Sequence, residues 1–568
     1  MKAFDIGLSA LNAHQIALSV QGNNLANAST PGYHRQVANL AGRAPVRNDH
    51  FSIGSGVEVS SVQRLKSVAI ESSLLRNSSE AGFSQQSLDV AKQIESLLTP
   101  GDTSIHSSMS DFFNRLEKVA NAPQDHTVRR EFLSSATELM HGFRSLDEQL
   151  SSVGREVSMN LNDSVKQVNQ YVKDIASLNL SIFEARAMGI SDNSLLDQRD
   201  QITSQLSYYL EVENTTTSDG HEITQIAGGK VAVGSRPIDF SVVRDAQGAI
   251  GISVGNLQTI IPLNSGSFAA MTTALNDTIP QFQSRLRDLA RGIVQTVDQQ
   301  HAQGISDQGP ATVLQGSRGV SSASLALNRS KPEFPINYGN LSVSVTDTAT
   351  GVRQTRSITV NPAVDSLADL AAKLSTIPGV VASVDSSTNT LIIAGQGPYA
   401  IDFSGRSDDP LNQSVNPRPD ETGILAALGI GSLFQGSEPG NFKVRDAIFQ
   451  NPEQFVVSAT GLPGDGRNAA AMASLRDIRF GPLSGRTFTE EMADVTAETG
   501  LQVQISDTQN TQLQAFRQRL EIDQASVSGV DINEEMLKMM QTQRGYQAAA
   551  KLITTADQML TELFDIIR

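Results

Sequence analysis

The chain has 568 residues, enough for roughly three to five domains. Its 60 acidic and 44 basic side chains give a formal net charge of −16, which argues against a nucleic-acid-binding protein held by phosphate contacts. The absence of cysteine excludes disulfides, thiolate metal sites and cysteine nucleophiles together. No stretch approaches the roughly 18 consecutive apolar residues that a membrane-spanning helix needs.

The amino-terminal segment predicts a helix with one apolar face. Its sevenfold positions are Phe4, Leu11, Leu18 and Leu25. Such a repeat keeps one face of a helix apolar, so the helix is expected to pair with another helix. It should end near Asn27, because Asn tolerates the left-handed C-cap conformation and Pro31 cannot continue a helix.

The last segment, from Asp531 to Arg568, repeats this pattern without an interrupting proline. Its sevenfold positions are all apolar: Ile532, Met539, Tyr546, Ile553, Leu560 and Ile567. Asp531 followed by Glu534 has the spacing of a capping box, which marks the helix start. We expect the two terminal helices to pair as a coiled coil, and we call these sevenfold positions at both ends the predicted seam.

The next part of the chain is mainly helical. After a short strand at 56–60, helices are predicted at 66–98 and 108–121, followed by a proline-free run at 125–188. The sevenfold pattern slips inside that run, so it is either one rod helix with a stutter or two helices with a break near Gly154. A rod of this length is typical of scaffolding.

Short strands and glycine turns predict a small antiparallel sheet at 211–263, including a strand at Thr259–Pro262, and a helix follows at 267–303. Residues 310–466 predict an outward-facing module with the order β-β-α-β-β. Helices at 468–477, 490–526 and 531–567 end the chain. The fold class is therefore multidomain, with a mainly α inner rod built from both ends of the chain and inserted β-rich and α+β outer domains.

This order predicts a nested chain of discontinuous domains. They are a terminal coiled-coil inner domain at 1–62 with 529–568, a helical rod domain at 63–210 with 467–528, a β-sheet domain with its closing helix at 211–309, and an outer α+β or β domain at 310–466.

No group of residues in the sequence predicts catalysis, a cofactor or a metal site. The eight histidines are scattered, and none pairs at the spacing of a metal site. Asp197 and Asp200 are a carboxylate pair that a metal site would need, but no histidine or further ligand accompanies them in the sequence, so no metal site is predicted there. No GxSxG, P-loop or GxGxxG motif precedes a helix. We therefore expect a protein that is not an enzyme.

Three motifs carry a resemblance to a known family. The first is the run Asn23, Asn24, Leu25, Ala26, Asn27, Ala28, Ser29, Thr30, Pro31, Gly32 and Tyr33. It resembles the amino-terminal signature of the flagellar rod, hook and hook-associated proteins, and residues 545–551 resemble their carboxy-terminal signature. The third is the string Leu195, Leu196, Asp197, Gln198, Arg199 and Asp200, which is similar to one in the hook-associated members at the junction between hook and filament. From the residues alone, its charges indicate local salt bridges and capping.

The resemblance implies a structural subunit of the bacterial flagellum that joins hook to filament and is needed for filament assembly. It also implies self-assembly into a ring or helical tube, contacts with the hook protein and hook-associated protein 3, and an export chaperone at the last helix. The start of the chain does not fit a cleavable signal peptide, which agrees with type III export to an extracellular position. The alternatives are a hook protein or other axial subunit, a secreted adhesin-like protein, or an enzyme on an axial scaffold.

Overall fold

The computed structural model describes residues 2–48, 51–98, 101, 104–216, 222–226, 230–233, 236–255, 259–409 and 414–566. Ile567 of the predicted seam lies outside these ranges. Among the described helices, none combines the length and the apolar character that crossing a membrane requires.

Helices dominate the described chain, and long ones stand at both of its ends. They are α1 (Lys2–Ala26), α2 (Val68–Leu98), α3 (Ile105–Asn121), α4 (His126–Ala187), α5 (Asn193–Ser207), α6 (Gly266–Thr273), α7 (Ile279–Ala302), α8 (Leu367–Ser375), α9 (Ile424–Leu428), α10 (Asp446–Gln450), α11 (Arg467–Ser474), α12 (Phe488–Ser528) and α13 (Ile532–Ile566). This confirms the coarse prediction of a mainly α protein with inserted sheets.

The strands are short and lie between the helices. They are β1 (Gln36–Gly42), β2 (Val46–Asn48), β3 (Phe51–Ile53), β4 (Val57–Arg64), β5 (Val212–Thr216), β6 (Glu222–Ile226), β7 (Lys230–Val233), β8 (Phe240–Arg244), β9 (Ile250–Val254), β10 (Val313–Gln315), β11 (Gly339–Asp347), β12 (Arg353–Val360), β13 (Val380–Asp385), β14 (Thr390–Gly395), β15 (Tyr399–Asp402), β16 (Phe434–Gln435) and β17 (Lys443–Val444).

The chain divides into two compact units, each assembled from separate stretches. The first unit comprises residues 1–91, 155–277 and 502–568, and the second comprises 92–154 and 278–501. Both ends of the chain therefore lie in the first unit, as the nested order predicts. The finer division into four domains stays a prediction.

The first unit combines the terminal helices with four small antiparallel sheets. Strand β1 pairs with β4, β2 with β3, and β8 with β9, while β5, β6 and β7 form a three-stranded sheet. We predicted one sheet at 211–263, whereas the structure divides this segment between the β5-β6-β7 sheet and the β8-β9 sheet. The predicted strand at Thr259–Pro262 is wrong, since this segment is irregular apart from one hydrogen bond from Ile261 to Ile252 at 2.8 Å. Pro262 cannot donate a ladder hydrogen bond.

The second unit is centred on a cluster of buried aromatic rings. Phe132 lies 5.2 Å from Phe112 and 4.8 Å from Phe455 between ring centroids, and all three rings are fully buried. In the same unit, strands in the order β10-β14-β13 form one sheet and strands in the order β12-β11-β15 another. The predicted β-β-α-β-β order is confirmed by β11, β12, α8, β13 and β14, and β15 is an additional strand that returns to β11.

The long helical run is a single helix, α4, which passes through Gly154 without a break. A Cβ at Gly154 would meet no atom closer than 3.9 Å, so nothing there forces the helix apart. The slip in the sevenfold pattern is therefore a stutter within one rod helix, which settles the two alternatives that the sequence left open.

Candidate functional site

Helices α1 and α13 lie against one another in the first unit, and glycines stand where they approach most closely. A Cβ built on Gly7 would lie 2.8 Å from Cγ1 of Ile553, and one built on Gly545 would lie 2.7 Å from the ring of His14. Such distances are too short for carbon atoms in ordinary contact. The separation of the two helices therefore depends on the absence of side chains at these positions.

The fully buried residues of the two helices are small or polar. They are Gly7, Ser9, Ala13, Ala17 and Asn24 on α1 and Glu535, Ala549 and Ala556 on α13. The predicted seam borders these positions, with Leu11, Leu18, Leu25, Met539, Tyr546, Ile553 and Leu560 half-buried. Phe4 and Ile532 are 37% and 49% exposed. These helices thus keep apolar surface that packing within the chain does not cover.

Alanine substitutions at glycines of α1 should shift stability in opposite directions. Gly7→Ala should lower the free energy of unfolding by about 1 kcal/mol, because overpacking against Ile553 outweighs the gain in helix propensity. Gly22→Ala is the matched control, since a Cβ there meets nothing within 4 Å. It should raise stability by about 0.5–1 kcal/mol. Urea unfolding followed by circular dichroism measures both. Equal effects of the two variants would contradict the close approach.

Asn24 holds three elements of the first unit together. Its Oδ1 accepts hydrogen bonds from the Gln36 N–H at 2.9 Å and the Tyr33 hydroxyl at 2.7 Å. Its Nδ2 donates to the Gln36 carbonyl at 2.8 Å and to Glu535 at 3.2 Å. The side chain is fully buried and uses its whole hydrogen-bonding capacity. The motif residue Asn24 therefore ties α1 to β1 and to the start of α13.

The remaining residues of the amino-terminal motif form a helix end and a turn. Asn27 Nδ2 donates to the Asn23 carbonyl at 3.0 Å, and Thr30 Oγ1 donates to Asn27 Oδ1 at 3.2 Å. Pro31 and Gly32 follow in an exposed turn, where Gly32 has a φ of 78° that favours glycine. The local interactions thus reverse the chain after α1 and place Tyr33 next to Asn24.

Arg35, two residues after Tyr33, binds the first turn of α13. Its Nε donates to Glu535 at 2.6 Å and its Nη2 to Glu534 at 3.1 Å, and its backbone N–H donates to the Ser528 carbonyl at 2.9 Å. Asp531 caps α13 through the N–H groups of residues 533 and 534 at 2.8 and 3.1 Å. Glu534 pairs with Arg35 instead of returning to the N-cap backbone, so the predicted capping box is completed on one side only.

The string at 195–200 meets the amino-terminal region through a charged network. Asp197 accepts from His34 Nδ1 at 2.7 Å and from Arg64 Nη1 at 2.6 Å. Asp200 accepts from Arg64 Nη2 at 2.9 Å and from Lys66 Nζ at 2.6 Å. We call His34, Arg64, Lys66, Glu71, Asp197 and Asp200 the charged network. It joins α5 to β4 and to His34, the residue that directly follows the amino-terminal motif.

The other residues of the string support this arrangement. Arg199 is buried and donates to Asp200 at 3.1 Å, whereas Leu195 and Leu196 are half-buried and Gln198 is exposed. The sequence predicted local salt bridges here. The Arg199–Asp200 pair agrees with that prediction, but the cations that bind Asp197 and the other cations at Asp200 come from residues 34–66. The N-cap of α5 is Asp192 and not a residue of the string.

Electrostatics keeps the network ionised near neutral pH. Burial by itself lowers the pKa of His34, but its hydrogen bonds to Asp197 and Glu71 raise this pKa to about 9. Burial raises the pKa of Asp200, and the charges of Lys66, Arg64 and Arg199 outweigh that effect and lower it to about 2. At neutral pH the network therefore contains a cationic imidazole at His34 and an ionised carboxylate at Asp200.

The network is built to hold elements together and not to transfer protons. Both ring nitrogens of His34 are engaged, Nδ1 with Asp197 at 2.7 Å and Nε2 with Glu71 at 3.4 Å, so neither is free to act as a general base. Gln524 of α12 donates to the same Glu71 oxygen at 2.6 Å. Within the described ranges, no group of three His, Asp or Glu side chains could hold a metal ion.

The basic and acidic partners in this site were missed by the sequence analysis. His34 and Arg35 directly follow the first motif, and Arg64 and Lys66 lie about 30 residues further on, but nothing in their spacing shows which carboxylates they bind. Glu535 is far along the chain. The only signal was the position of His34 and Arg35 directly after Tyr33 of the motif.

The pH dependence of stability should report His34. Its pKa rises from 6.5 to about 9 on folding, so its contribution is full below pH 6.5 and is lost as the pH rises through 9. With discounting for solvent, we expect the wild type to lose about 1–2 kcal/mol across this window. His34→Gln should flatten the slope, whereas His141→Gln, at an exposed histidine, should leave it unchanged. Urea unfolding at intervals of pH measures this, and an unchanged slope in His34→Gln would contradict the assignment.

Three family models match successive parts of the chain. Residues 4–34 match the flagella basal body rod protein model, residues 91–313 the helical domain of flagellar hook-associated protein FlgK, and residues 525–566 the carboxy-terminal model of the flagellar basal body rod FlgEFG proteins. The first and last of these contain α1 with its motif and α13. The second contains α4 and the string at 195–200.

Relatives match along nearly the whole chain. Flagellar hook-associated protein 1 of Salmonella typhimurium is 25% identical over 98% of both chains, and that of Bacillus subtilis is 23% identical over 98% of this chain and 96% of its own. The flagellar hook junction protein FlgK of Burkholderia pseudomallei has a similar fold, with a TM-score of 0.52, 16% identity, and coverage of 80% of this chain and 100% of its own. The chain is thus a homologue of flagellar hook-associated protein 1 over 98% of its length.

Proposed function

We propose that this chain is a structural subunit of the bacterial flagellum that forms the junction between hook and filament and is needed for filament assembly. The observation that carries this proposal is the apolar surface on the paired terminal helices, in a chain similar to flagellar hook-associated protein 1 over 98% of its length. The alternative of a hook protein or other axial subunit is disfavoured by the match of residues 91–313 to a hook-associated protein domain.

The apolar surface consists of large side chains on both terminal helices that packing within the chain leaves exposed. Its members are at least 37% exposed: Phe4, Leu8 and Ile16 on α1 and Ile532, Met536, Leu537, Met540, Leu552 and Met559 on α13. We call these residues the outer apolar face. Large apolar side chains left exposed along two paired helices indicate an interaction site.

Many copies of the chain can cover the outer apolar face. A contact between different surfaces of identical subunits repeats and gives a ring or a helical tube. We infer that the chain assembles in this way, with α1 and α13 paired as a coiled coil at the inner wall and the hook protein and hook-associated protein 3 as its neighbours along the axis. The four predicted domains would then follow from the inner wall outwards, with 310–466 outermost.

The same helix offers a site to a chaperone before assembly. Helix α13 carries most of the outer apolar face and contacts the rest of its unit through one side. We propose that an export chaperone covers α13 in the cytoplasm, and that the chain leaves the cell without a cleaved signal peptide through the flagellar type III channel. The assembled protein is then extracellular, at the hook–filament junction.

An enzymatic or adhesin-like role receives less support from the geometry. The charged network has no free histidine nitrogen and acts as a connector between elements. An adhesin would need its outer modules and not its terminal helices, so polar substitutions in the outer apolar face would leave its function intact. We therefore propose a structural role without a cofactor.

Electron microscopy of the purified chain mixed with isolated hooks tests the proposal. We expect a ring of subunits at the distal end of each hook, because the outer apolar face is covered only by neighbours in the assembly. A chain denatured before mixing is the control. Hooks that stay bare at concentrations of the chain up to roughly 10 μM, the range of a weak but specific interface, would contradict the junction role.

A further inference from the structure

A cavity of about 500 Å³ lies within the second unit, apart from the charged network. Its wall is formed by the end of α7, residues 304–315, the end of β15 with Phe403, and parts of residues 431–456. This volume falls within the range of roughly 300–1,000 Å³ that is typical of small-molecule sites. Val313, which is 58% exposed, lies at its mouth.

Arg445 brings a positive charge to this wall. Its Nη1 donates to the Ser432 carbonyl at 3.4 Å, which is a long hydrogen bond. In the part of the chain that the structure describes, no carboxylate forms an ion pair with it. Asp298 is the acidic group that acts on it, but Asp298 binds Arg318 at 2.6 Å and accepts two backbone hydrogen bonds. Burial lowers the pKa of Arg445.

The other ionisable groups of the wall are already engaged. His301 donates through Nδ1 to the Gly431 carbonyl at 2.7 Å and accepts at Nε2 from the Val456 N–H at 3.1 Å. Burial lowers its pKa to about 4, so it is neutral. Asp402 is paired with Arg406. Arg445 is thus the charge in this wall that lacks a counter-charge among the described residues.

We propose that this cavity binds a small organic carboxylate through Arg445. The planar guanidinium matches a carboxylate through two parallel hydrogen bonds. Gln308, Gln315 and Gln454 also line the cavity, and amide side chains can hydrogen-bond hydroxyl or amide groups on the body of the ligand. Such a ligand could come from an acidic sugar or from a peptide-like compound, which share this chemistry.

Isothermal titration calorimetry of the full chain tests this binding. The probes are D-glucuronate, N-acetyl-L-alanine, neutral D-glucose and inorganic phosphate at one ionic strength. We expect at least one carboxylate to bind with a Kd below about 1 mM, glucose and phosphate to bind at least about tenfold more weakly, and Arg445→Gln to weaken the carboxylate at least about tenfold. Arg329→Gln, at an exposed arginine of the same unit, is the matched control and should bind as the wild type does.

The result for the two carboxylates distinguishes the sources, and binding of either supports the proposal. Absence of binding by both, equal binding of phosphate, or unchanged binding by Arg445→Gln would overturn it. If circular dichroism shows that Arg445→Gln is unfolded, Val313→Glu takes its place. A carboxylate at the mouth should repel the ligand and weaken its binding severalfold without touching Arg445, and unchanged binding by that variant would overturn the proposal equally.

Discussion

Cells that carry the double variant Leu537→Asp and Met540→Asp should make hooks but fail to keep filaments. Both side chains are at least 50% exposed and lie on the outer apolar face, so the isolated chain should fold normally. In the assembly, each substitution replaces an apolar contact of about 1.5–3 kcal/mol with a carboxylate that must lose its water. Together they should weaken each contact between subunits by more than about a hundredfold.

The measurement is a swimming assay in cells deleted for the gene, combined with detection of filament protein in the medium. The matched control is Gln541→Asp with Gln543→Asp, which adds the same charge at exposed polar positions of the same helix and should leave swimming intact. Normal swimming by the Leu537 and Met540 variant would refute the assembly role of the outer apolar face. It would also favour an adhesin-like function, in which the terminal helices serve only as a stalk.

The helical frame of this protein could be predicted from its sequence because periodicity is a local signal. The bounds of α2, α4 and α13 differ from the predicted ones by one or two residues, since apolar spacing and helix breakers lie within the helices themselves. The irregular segment at 259–262 was missed because an apolar run does not show whether a partner strand exists. That information belongs to the tertiary structure.

The contact between the terminal helices illustrates a different limit. The pattern of large apolar residues predicts Leu11 and Leu18 as the contact residues of α1. The buried positions beside them are instead Ala13 and Ala17. A close approach of two helices selects small residues, which carry little weight in an apolar pattern. The large residues then remain partly free for contacts with other subunits.

The sequence predicted the two motifs of the candidate site but not the residues that bind them. The motif that contains Asn24 and the string that contains Asp200 stood out through their resemblance to a family, but no rule connects them to each other. Their partners, such as Glu535 and Arg64, are charged residues of types that usually lie on the surface. The chain has 60 acidic residues, so a single carboxylate does not stand out. Charge pairing has no period, so only the folded chain shows which charges meet.

Asp200→Asn should be among the most destabilising single substitutions in the first unit. The Asp200 side chain is 7% exposed and accepts bonds from Arg64, Lys66 and Arg199 at 2.9, 2.6 and 3.1 Å. The substitution leaves these cations with one carboxylate fewer in a buried place, so we expect a loss of about 3–5 kcal/mol in the free energy of unfolding. Urea unfolding measures the loss, and hydrogen exchange of β1 and β4 should show where it acts.

The matched control is Asp163→Asn, which removes an ion pair with Lys166 at 2.8 Å on the surface of the same unit. Its carboxylate is 73% exposed, so its loss should cost less than about 0.5 kcal/mol. A difference of less than about 1 kcal/mol between the two variants would show that the network contributes no more than surface pairs do. A large difference means that the string at 195–200 acts by fastening α5 to β4 and to the turn after α1. These contacts would then hold the terminal helices, which carry the outer apolar face, in a fixed position within the first unit.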